Sequence, residues 1–192
     1  IGSKLVVALC DAGYQVRILS RKKTKGLVVQ HALVEVMQCD LLDSGFKLEK
    51  VLEGCSVVFN CAGELHDKSL MYSLHVEATA RLIDACKKVA EVQKRSIHWV
   101  QLSSVGAYGA SIDKQSVSRI VTEKTQPVPT GEYEVSKTLA DEIIVKAVGN
   151  YFSYAILRPS NVFGAGMPNQ AIRQLARMIQ NHMFFYIIIS NV

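Results

Sequence analysis

The chain has 192 residues, enough for one domain of ordinary size. Apolar residues make up 49% and charged residues 20%, which excludes a disordered or low-complexity chain. The net charge of +5 is a mild excess without a basic stripe, so we expect no nucleic-acid partner. The late apolar run at residues 183–189 is too short to cross a membrane, and no signal peptide is visible. We therefore expect a cytoplasmic protein with no membrane partner.

Cysteine and histidine usage argues against disulfides and metals. The five cysteines are an odd number without a C-x-x-C pair, which favours reduced thiols in a reducing compartment. The five histidines show no spacing typical of metal ligands. We expect no metal site, and we interpret the histidines as ordinary core or surface residues.

Helical and strand-like patterns alternate along the chain. Leu5, Val6, Leu9 and Cys10 recur at helical spacing before Gly13, a typical helix stop. Further on, the pattern predicts strands at residues 15–20, 33–38, 56–61, 97–102 and 154–157, and helices at residues 69–89 and 132–148. Residues 56–61 are continuously apolar, as in a strand buried on both faces. This alternation predicts an α/β fold with an open parallel sheet and right-handed crossovers.

Ligands bind such sheets at the carboxyl ends of the strands. Small or polar pairs follow the predicted strands at Ser20-Arg21, Asp40-Leu41, Ala62-Gly63, Ser103-Ser104 and Arg158-Pro159. We therefore expect a crevice there that lets the backbone approach a ligand closely.

Tyr133 and Lys137 are the first candidates for chemistry. At positions i and i+4 of a helix their side chains share one face. A free tyrosine has a pKa of about 10, and lowering it by about 3 units requires roughly 4 kcal/mol of differential stabilisation. A neighbouring ammonium and a cationic cofactor ring favour the phenolate, which can then exchange a proton with a hydroxyl or carbonyl. A Tyr-x-x-x-Lys pair is expected by chance about 0.5 times in a chain of this composition, so the neighbouring motifs must show whether it is functional.

Three motifs in a fixed order supply that context. They are residues 97–109 (IHWVQLSSVGAYG), the Tyr133-x-x-x-Lys137 pair, and residues 157–164 (LRPSNVFG). Together they resemble the extended short-chain dehydrogenase/reductase family, whose best-known members are nucleotide-sugar epimerases and dehydratases. The resemblance implies a Rossmann-like doubly wound parallel sheet. It also implies a clipped NAD(P)-binding domain at residues 1–166, the start of a substrate-binding region at residues 167–192, and a homodimer.

The resemblance also assigns roles. It implies that Tyr133 is the acid-base group, that Lys137 orders the nicotinamide ribose and lowers the tyrosine pKa, and that Ser104 holds the substrate oxygen. Asn161 falls where the family touches substrate, although a turn-forming role explains it equally well. Cofactor contacts are implied at Gly2, Asp40, Leu41, Ala62, Gly63, Lys137 and Pro159.

Two departures from the family pattern affect these expectations. The family opens with a strand and G-x-x-G-x-x-G, of which only Gly2 matches, as the last glycine. We expect the natural protein to be longer, with the first central strand and most of the C-terminal substrate region outside these 192 residues. His75 stands where many relatives carry Asn, which puts the hydrogen bond from that helix to the site in doubt.

The end of the first predicted strand bears on cofactor choice. NAD-specific sites usually present an acidic residue there, whereas this chain presents Ser20 and Arg21, which suit a 2′-phosphate. A solvated basic turn is the alternative. We predict NADP, with NAD as the second choice.

Three functions agree with these residues. The first is a nucleotide-sugar epimerase, favoured over a dehydratase because Val105-Gly-Ala follows Ser104 with no acidic residue. The second is an NADP-dependent reductase or dehydrogenase of a non-sugar alcohol or carbonyl. The third is a non-catalytic scaffold that binds a dinucleotide, which a broken Ser-Tyr-Lys set would favour. That set is intact, so we expect an enzyme acting on a small molecule such as a nucleotide sugar.

Overall fold

A computed structural model describes residues 1–21, 29–110, 119–164, 167 and 171–183. The chain divides into two compact units, Ile1–Pro159 and Ser160–Val192. The family resemblance implies a domain boundary after residue 166. Every strand in the described residues belongs to the first unit.

Helices and strands alternate through the first unit as predicted. The strands are β1 (Val16–Ser20), β2 (Val34–Gln38), β3 (Val57–Asn60), β4 (Ile97–Leu102) and β5 (Phe152–Leu157). The helices are α1 (Gly2–Asp11), α2 (Glu49–Leu52), α3 (Lys68–Tyr72), α4 (Ala78–Gln93) and α5 (Glu132–Lys146), and the second unit contains α6 (Ala171–Gln180). Single turns of π-helix at Ser73–Glu77 and of 3₁₀-helix at Val105–Tyr108 complete the described elements.

All strand pairs are parallel, which confirms the predicted α/β class. The described strands form two sheets rather than one: β1 pairs with β2, and β3, β4 and β5 pair in that order. β1 and β3 therefore have one neighbour each within the described chain. This break falls where the family pattern places a first strand.

A cavity of about 1180 Å³ lies between the two sheets and is lined by residues of both β1 and β3. It exceeds the 300–1,000 Å³ that is usual for a ligand pocket. Arg17 on β1 connects this sheet to the end of α2, because its Nη1 donates to the carbonyls of Val51 (2.8 Å) and Glu53 (3.0 Å). These bonds lie beside the gap between the two sheets.

The gap explains why one prediction about β3 was wrong. The apolar run at residues 56–61 predicts burial on both faces, but Val57 is 44% exposed and Phe59 is 38% exposed. β3 is an edge strand at the cavity, so these two side chains lack the cover that a strand inside a sheet receives.

The core lies where α4 and α5 meet the three-stranded sheet. Trp99 on β4 is fully buried and contacts Phe152 on β5, with ring centroids 6.5 Å apart. The Trp99 indole N–H donates to Oε1 of Gln101 at 3.1 Å, so the buried ring has a polar partner. α4 contributes Leu82, Ile83 and Cys86 to the same core, as its amphipathic pattern predicts.

The helix predicted at residues 69–89 is interrupted and longer than expected. It begins at Lys68, passes through the π-helical turn at Ser73–Glu77 and continues to Gln93, where Lys94 ends it in a left-handed conformation (φ 48°). A π-turn inserts one extra residue per turn and is often found at functional sites. This π-helical turn packs against α5, the helix that carries Tyr133 and Lys137.

All five cysteine thiols are free. Within the described residues, no group of three or more His, Cys, Asp or Glu side chains is arranged to hold a metal ion. The described helices are all too short or too polar to span a bilayer.

Candidate functional site

Tyr133 and Lys137 both lie in the first half of α5, one turn apart, as the sequence predicts. Gly131 precedes the helix, and Tyr133 is half-buried. Ser104 lies elsewhere, directly after β4, where it begins the 3₁₀ turn. The α5 helix contacts this turn, so the elements that carry the three residues pack together.

Lys137 is a buried cation with little compensation from the protein. Its side chain is only 2% exposed. Burial lowers its pKa from the ordinary value, while Asp141 and Cys61 oppose the shift. None of the described residues makes a hydrogen bond with its ammonium group, which therefore retains donors for a ligand.

Tyr133 differs from the sequence expectation in its electrostatics. Burial raises the pKa of its phenol, and the charge of Glu134 raises it further. Lys137 is not among the groups that shift it. The predicted lowering is therefore absent from the protein alone, because burial and the Glu134 carboxylate both disfavour the phenolate.

The two serines after β4 have different partners. The buried Ser103 hydroxyl donates to Oδ2 of Asp141 at 2.7 Å. The Ser104 hydroxyl oxygen instead accepts the backbone N–H of Gly106 at 3.1 Å, so its own proton remains available. Ser104 is half-buried, which agrees with its choice over Ser103 as the substrate-binding hydroxyl.

Asp141 is the centre of a network behind these residues. It is 2% exposed and accepts hydrogen bonds at Oδ2 from Ser103 and from Nε of Arg158 (3.1 Å). Arg158 in turn donates from Nη1 to the Tyr108 hydroxyl at 2.8 Å and lies over that ring. Burial raises the pKa of Asp141, although Ser103, Arg158 and Lys137 each act to lower it. The network joins the ends of β4 and β5 to α5.

His75, on the π-helical turn, makes hydrogen bonds through both ring nitrogens. Its Nε2 accepts the backbone N–H of Glu64 at 2.8 Å, and its Nδ1 lies 2.8 Å from the Ser136 hydroxyl. The ring also packs edge-on against Tyr133, with centroids 5.5 Å apart. Burial lowers its pKa to about 4, and the charge of Lys137 adds to this effect. The histidine therefore hydrogen-bonds both to the segment after β3 and to α5.

Some of the predicted cofactor residues meet at the cavity between the sheets. Gly2, Ser20, Leu41 and Ala62 all line it. Gly2 lies against Cys61, where an added Cβ would be 3.7 Å from the cysteine Cβ. These residues lie at one cavity although they come from four separate segments.

The remaining predicted residues do not line this cavity. Arg21 is exposed, and the Asp40 carboxylate accepts the N–H of Leu42 at 3.0 Å. Gly63 lies beside the His75 ring, and the Pro159 carbonyl accepts the N–H of Val105 at 3.0 Å. Asn161 is exposed and belongs to the second unit.

Sequence reasoning missed Glu134 and Asp141, and it gave no contacts for Arg158 and His75. Glu134 is notable because its side chain and the Ser104 hydroxyl flank the same face of Gly106. An acidic group therefore does lie near Ser104, supplied by α5 instead of the segment after the serine. Asp141 had a signal, since it follows Lys137 at the i+4 spacing that places both on one helix face.

Comparisons with known proteins agree on the family. Residues 1–185 match the model of the NAD dependent epimerase/dehydratase family. The chain is 30% identical over 139 residues to 3beta-hydroxysteroid-dehydrogenase/decarboxylase isoform 2 of Arabidopsis thaliana, covering 69% of this chain and 23% of that protein. It is 34% identical over 124 residues to dTDP-6-deoxy-L-talose 4-dehydrogenase (NAD(P)(+)) of Kitasatospora kifunensis, covering 62% of this chain and 36% of that protein.

Solved structures show the same fold. MoeE5 in complex with UDP-glucuronic acid and NAD superposes with a TM-score of 0.76 at 24% identity, covering 92% of this chain and 57% of that one. The chain therefore spans well under two thirds of the relatives that it matches. The likeness to this structure is one of fold, and it confirms the predicted Rossmann-like architecture.

Proposed function

Because the chain belongs to the NAD-dependent epimerase/dehydratase family, we propose that its protein moves hydride between a nicotinamide cofactor and a hydroxyl-bearing carbon. The acid-base group is Tyr133, with Ser104 and Lys137 as its partners. The observation that carries this proposal is the Lys137 ammonium, which is buried beneath the site yet makes no hydrogen bond with the described residues. A buried ammonium of this kind is costly unless a ligand supplies acceptors.

The residues on the cofactor side fit a dinucleotide. Gly2, Ala62 and Gly63 are small and stand at a helix start or directly after a parallel strand, where a backbone can approach phosphates. Lys137 supplies donors for ribose hydroxyls. When bound, the nicotinamide ring accepts or returns a hydride, and in its oxidised form it carries positive charge. That charge would offset the burial and the Glu134 carboxylate, which raise the pKa of Tyr133.

Each protein group has a distinct task in this scheme. The Ser104 hydroxyl donates to the reacting oxygen of the substrate, since its own oxygen is already held by Gly106. The Tyr133 phenolate removes the hydroxyl proton as the carbon is oxidised, and the phenol returns it on reduction. Lys137 orients the ribose through the donors of its ammonium group.

Nucleotide-sugar epimerisation is the first candidate reaction. It is supported by the family match and by the likeness to a dehydrogenase of a dTDP-sugar. We propose that the substrate is such a sugar nucleotide. We also propose that the protein is a cytoplasmic homodimer. The Glu134 carboxylate beside Gly106 weakens the sequence argument against a dehydratase, because an acidic group is present near Ser104 after all.

An NADP-dependent dehydrogenase or reductase of a non-sugar alcohol is the second candidate. The relative that acts as a 3beta-hydroxysteroid dehydrogenase is 30% identical over 139 residues and favours this reaction. The two candidates differ in one physical respect. An epimerase returns the hydride to its substrate and retains its cofactor, whereas a dehydrogenase releases the cofactor at each turnover.

The cofactor content of the purified full-length protein tests these proposals. The protein is denatured, and the released nucleotide is identified and quantified by mass spectrometry. Near-stoichiometric NADP or NAD supports the epimerase, and an empty protein that binds added NADPH reversibly supports the dehydrogenase. A protein that contains and binds neither dinucleotide contradicts the proposed function.

A further inference from the structure

His75 connects two parts of the site that are distant in sequence. The Glu64 N–H belongs to the segment after β3, which is the predicted cofactor side. Ser136 belongs to the first turns of α5, beside Tyr133. A single buried ring, 2% exposed, bridges the two. Among the described residues, one other side-chain hydrogen bond joins these two parts of the chain, the exposed pair between Lys68 and Glu132 at 3.3 Å.

The hydrogen bonds fix the state of the ring. Because Nε2 accepts the N–H of Glu64, the neutral ring carries its proton on Nδ1 and donates it to the Ser136 hydroxyl. The Ser136 hydroxyl then donates to the Tyr133 carbonyl at 2.9 Å. The bonds therefore run in one direction, from Glu64 through His75 and Ser136 to Tyr133, with every donor and acceptor used once.

The π-helical turn explains how the ring reaches both partners. The extra residue at Ser73–Glu77 turns His75 inward between α5 and the segment after β3, and the ring meets Tyr133 edge-on. A π-helical turn is more strained than an ideal α-helical turn, so it persists only where the surrounding contacts stabilise it.

We propose that His75 is a positioning residue that holds the cofactor side of the site, at Gly63 and Glu64, in register with Tyr133. This inference rests on the proposed function, which makes Gly63 and Glu64 the cofactor side and Tyr133 the acid-base group. The neutral His75 ring links these two parts of the site through its two separate hydrogen bonds.

Two substitutions separate the two bonds. Asn places an amide near the position of Nδ1, so His75→Asn keeps a donor for Ser136 and loses the acceptor for Glu64. Gln places an amide near the position of Nε2, so His75→Gln keeps the acceptor for Glu64 and loses the donor for Ser136. Ser136→Ala is the matched control for His75→Gln, because it removes the same bond and leaves the ring in place.

Hydrogen–deuterium exchange of the full-length protein measures the backbone protection of the two segments that His75 bridges. We expect His75→Asn to speed exchange in residues 62–65 and to leave residues 132–137 unchanged. We expect His75→Gln and Ser136→Ala to do the opposite. NADPH binding should weaken about two- to tenfold in His75→Asn, the loss expected for one neutral hydrogen bond, and less than twofold in the other two variants.

A role in packing alone predicts a different pattern. Equal exchange changes at both ends in all three variants, or no change at either end, would overturn the proposal. The exchange measurement needs no cofactor. If the unsubstituted protein binds no NADPH but the crossed exchange pattern appears, the proposed function fails while the coupling by His75 stands.

Discussion

The Ser103 hydroxyl donates a 2.7 Å hydrogen bond to Oδ2 of Asp141, which joins the end of β4 to the middle of α5. Ser104, the next residue, is thereby fixed at the carboxyl end of β4. Arg158 completes the link to β5 through its ion pair with the same carboxylate oxygen, at 3.0 Å from Nη2. The residues proposed for chemistry are thus supported by an ion pair between the buried Asp141 carboxylate and the partly exposed Arg158.

Removing the carboxylate should destabilise the fold. In Asp141→Ala, the Ser103 hydroxyl and the Arg158 guanidinium lose a buried partner, and we expect the free energy of unfolding to fall by about 3 kcal/mol. Urea denaturation of the full-length protein measures this change. The adjacent exposed substitution Glu142→Ala is the control and should change it by less than about 0.5 kcal/mol. Equal effects of the two substitutions would mean that the ion pair contributes nothing.

Tyr133→Phe should separate catalysis from binding. The phenol is the proposed acid-base group, so its loss should lower turnover of the protein's substrate by about 10²- to 10⁴-fold. The ring and its contact with His75 remain, so the dissociation constant for NADPH should change by less than about twofold. Fluorescence titration with NADPH measures binding, and Tyr72→Phe, at an exposed tyrosine, is the control. Normal turnover in Tyr133→Phe would eliminate the proposed mechanism.

Arg21 should decide between the two cofactors. A charge-assisted hydrogen bond to a 2′-phosphate is worth about 1.5–3 kcal/mol, so Arg21→Ala should weaken NADPH binding by about ten- to a hundredfold. NADH binding should be nearly unchanged, because NADH lacks that phosphate. Lys50→Ala, at an exposed basic residue on α2, is the control for general charge. If both cofactors respond alike, the basic turn is merely solvated.

His75 should make stability depend on pH in a defined window. Its pKa in the folded protein is about 4, against an ordinary value of 6.5, because of burial and the charge of Lys137, with Glu64 acting in the opposite direction. Between these values the unfolded chain binds a proton at residue 75 that the folded chain does not, so the free energy of unfolding decreases as the pH falls from 6.5 to 4.

The measurement for this prediction is the difference between two proteins. Urea denaturation at several pH values compares the unsubstituted protein with His75→Gln, which cannot titrate there. We expect the unsubstituted protein to lose about 3 kcal/mol more than the variant across this window. Parallel pH profiles for the two proteins would show that the buried ring is not the titrating group.

Gly109 should not tolerate a side chain. Its φ of 66° lies in the left-handed region, and an added Cβ would collide with the Val128 carbonyl oxygen. We expect Gly109→Ala to lower the free energy of unfolding by about 2 kcal/mol or more. Gly149→Ala is the control, because an added Cβ there would be 4.0 Å from its nearest neighbour and φ is not positive. Thermal unfolding distinguishes the two, and equal midpoints would argue against strain at Gly109.

Local pattern sufficed to predict most of the fold. Alternation and apolar runs located β4 without error and the other four strands to within two residues. The interruption at Ser73–Glu77 was not predictable, because a π-turn is held by tertiary contacts of His75 and leaves no mark in the apolar periodicity. The exposure of Val57 and Phe59 also depends on a neighbouring strand rather than on their own sequence.

The site was predicted in part for a similar reason. Tyr133 and Lys137 are one helical turn apart, so their proximity follows from sequence alone. The network of Ser103, Asp141 and Arg158 joins three elements, and only the packed structure shows that these side chains meet. The raised pKa of Tyr133 likewise depends on burial, which a one-dimensional pattern does not measure.

The open gap between β1 and β3 has a consequence for handling residues 1–192 by themselves. Each strand presents a row of backbone N–H and C=O groups toward the cavity, and no strand pairs with those edges in the described chain. Unpaired strand edges are templates on which another chain can add a strand. The exposed side chains of Val57 and Phe59 also add apolar surface to the β3 edge. Aggregation of this segment should therefore start at β3 and be strongest at high protein concentration.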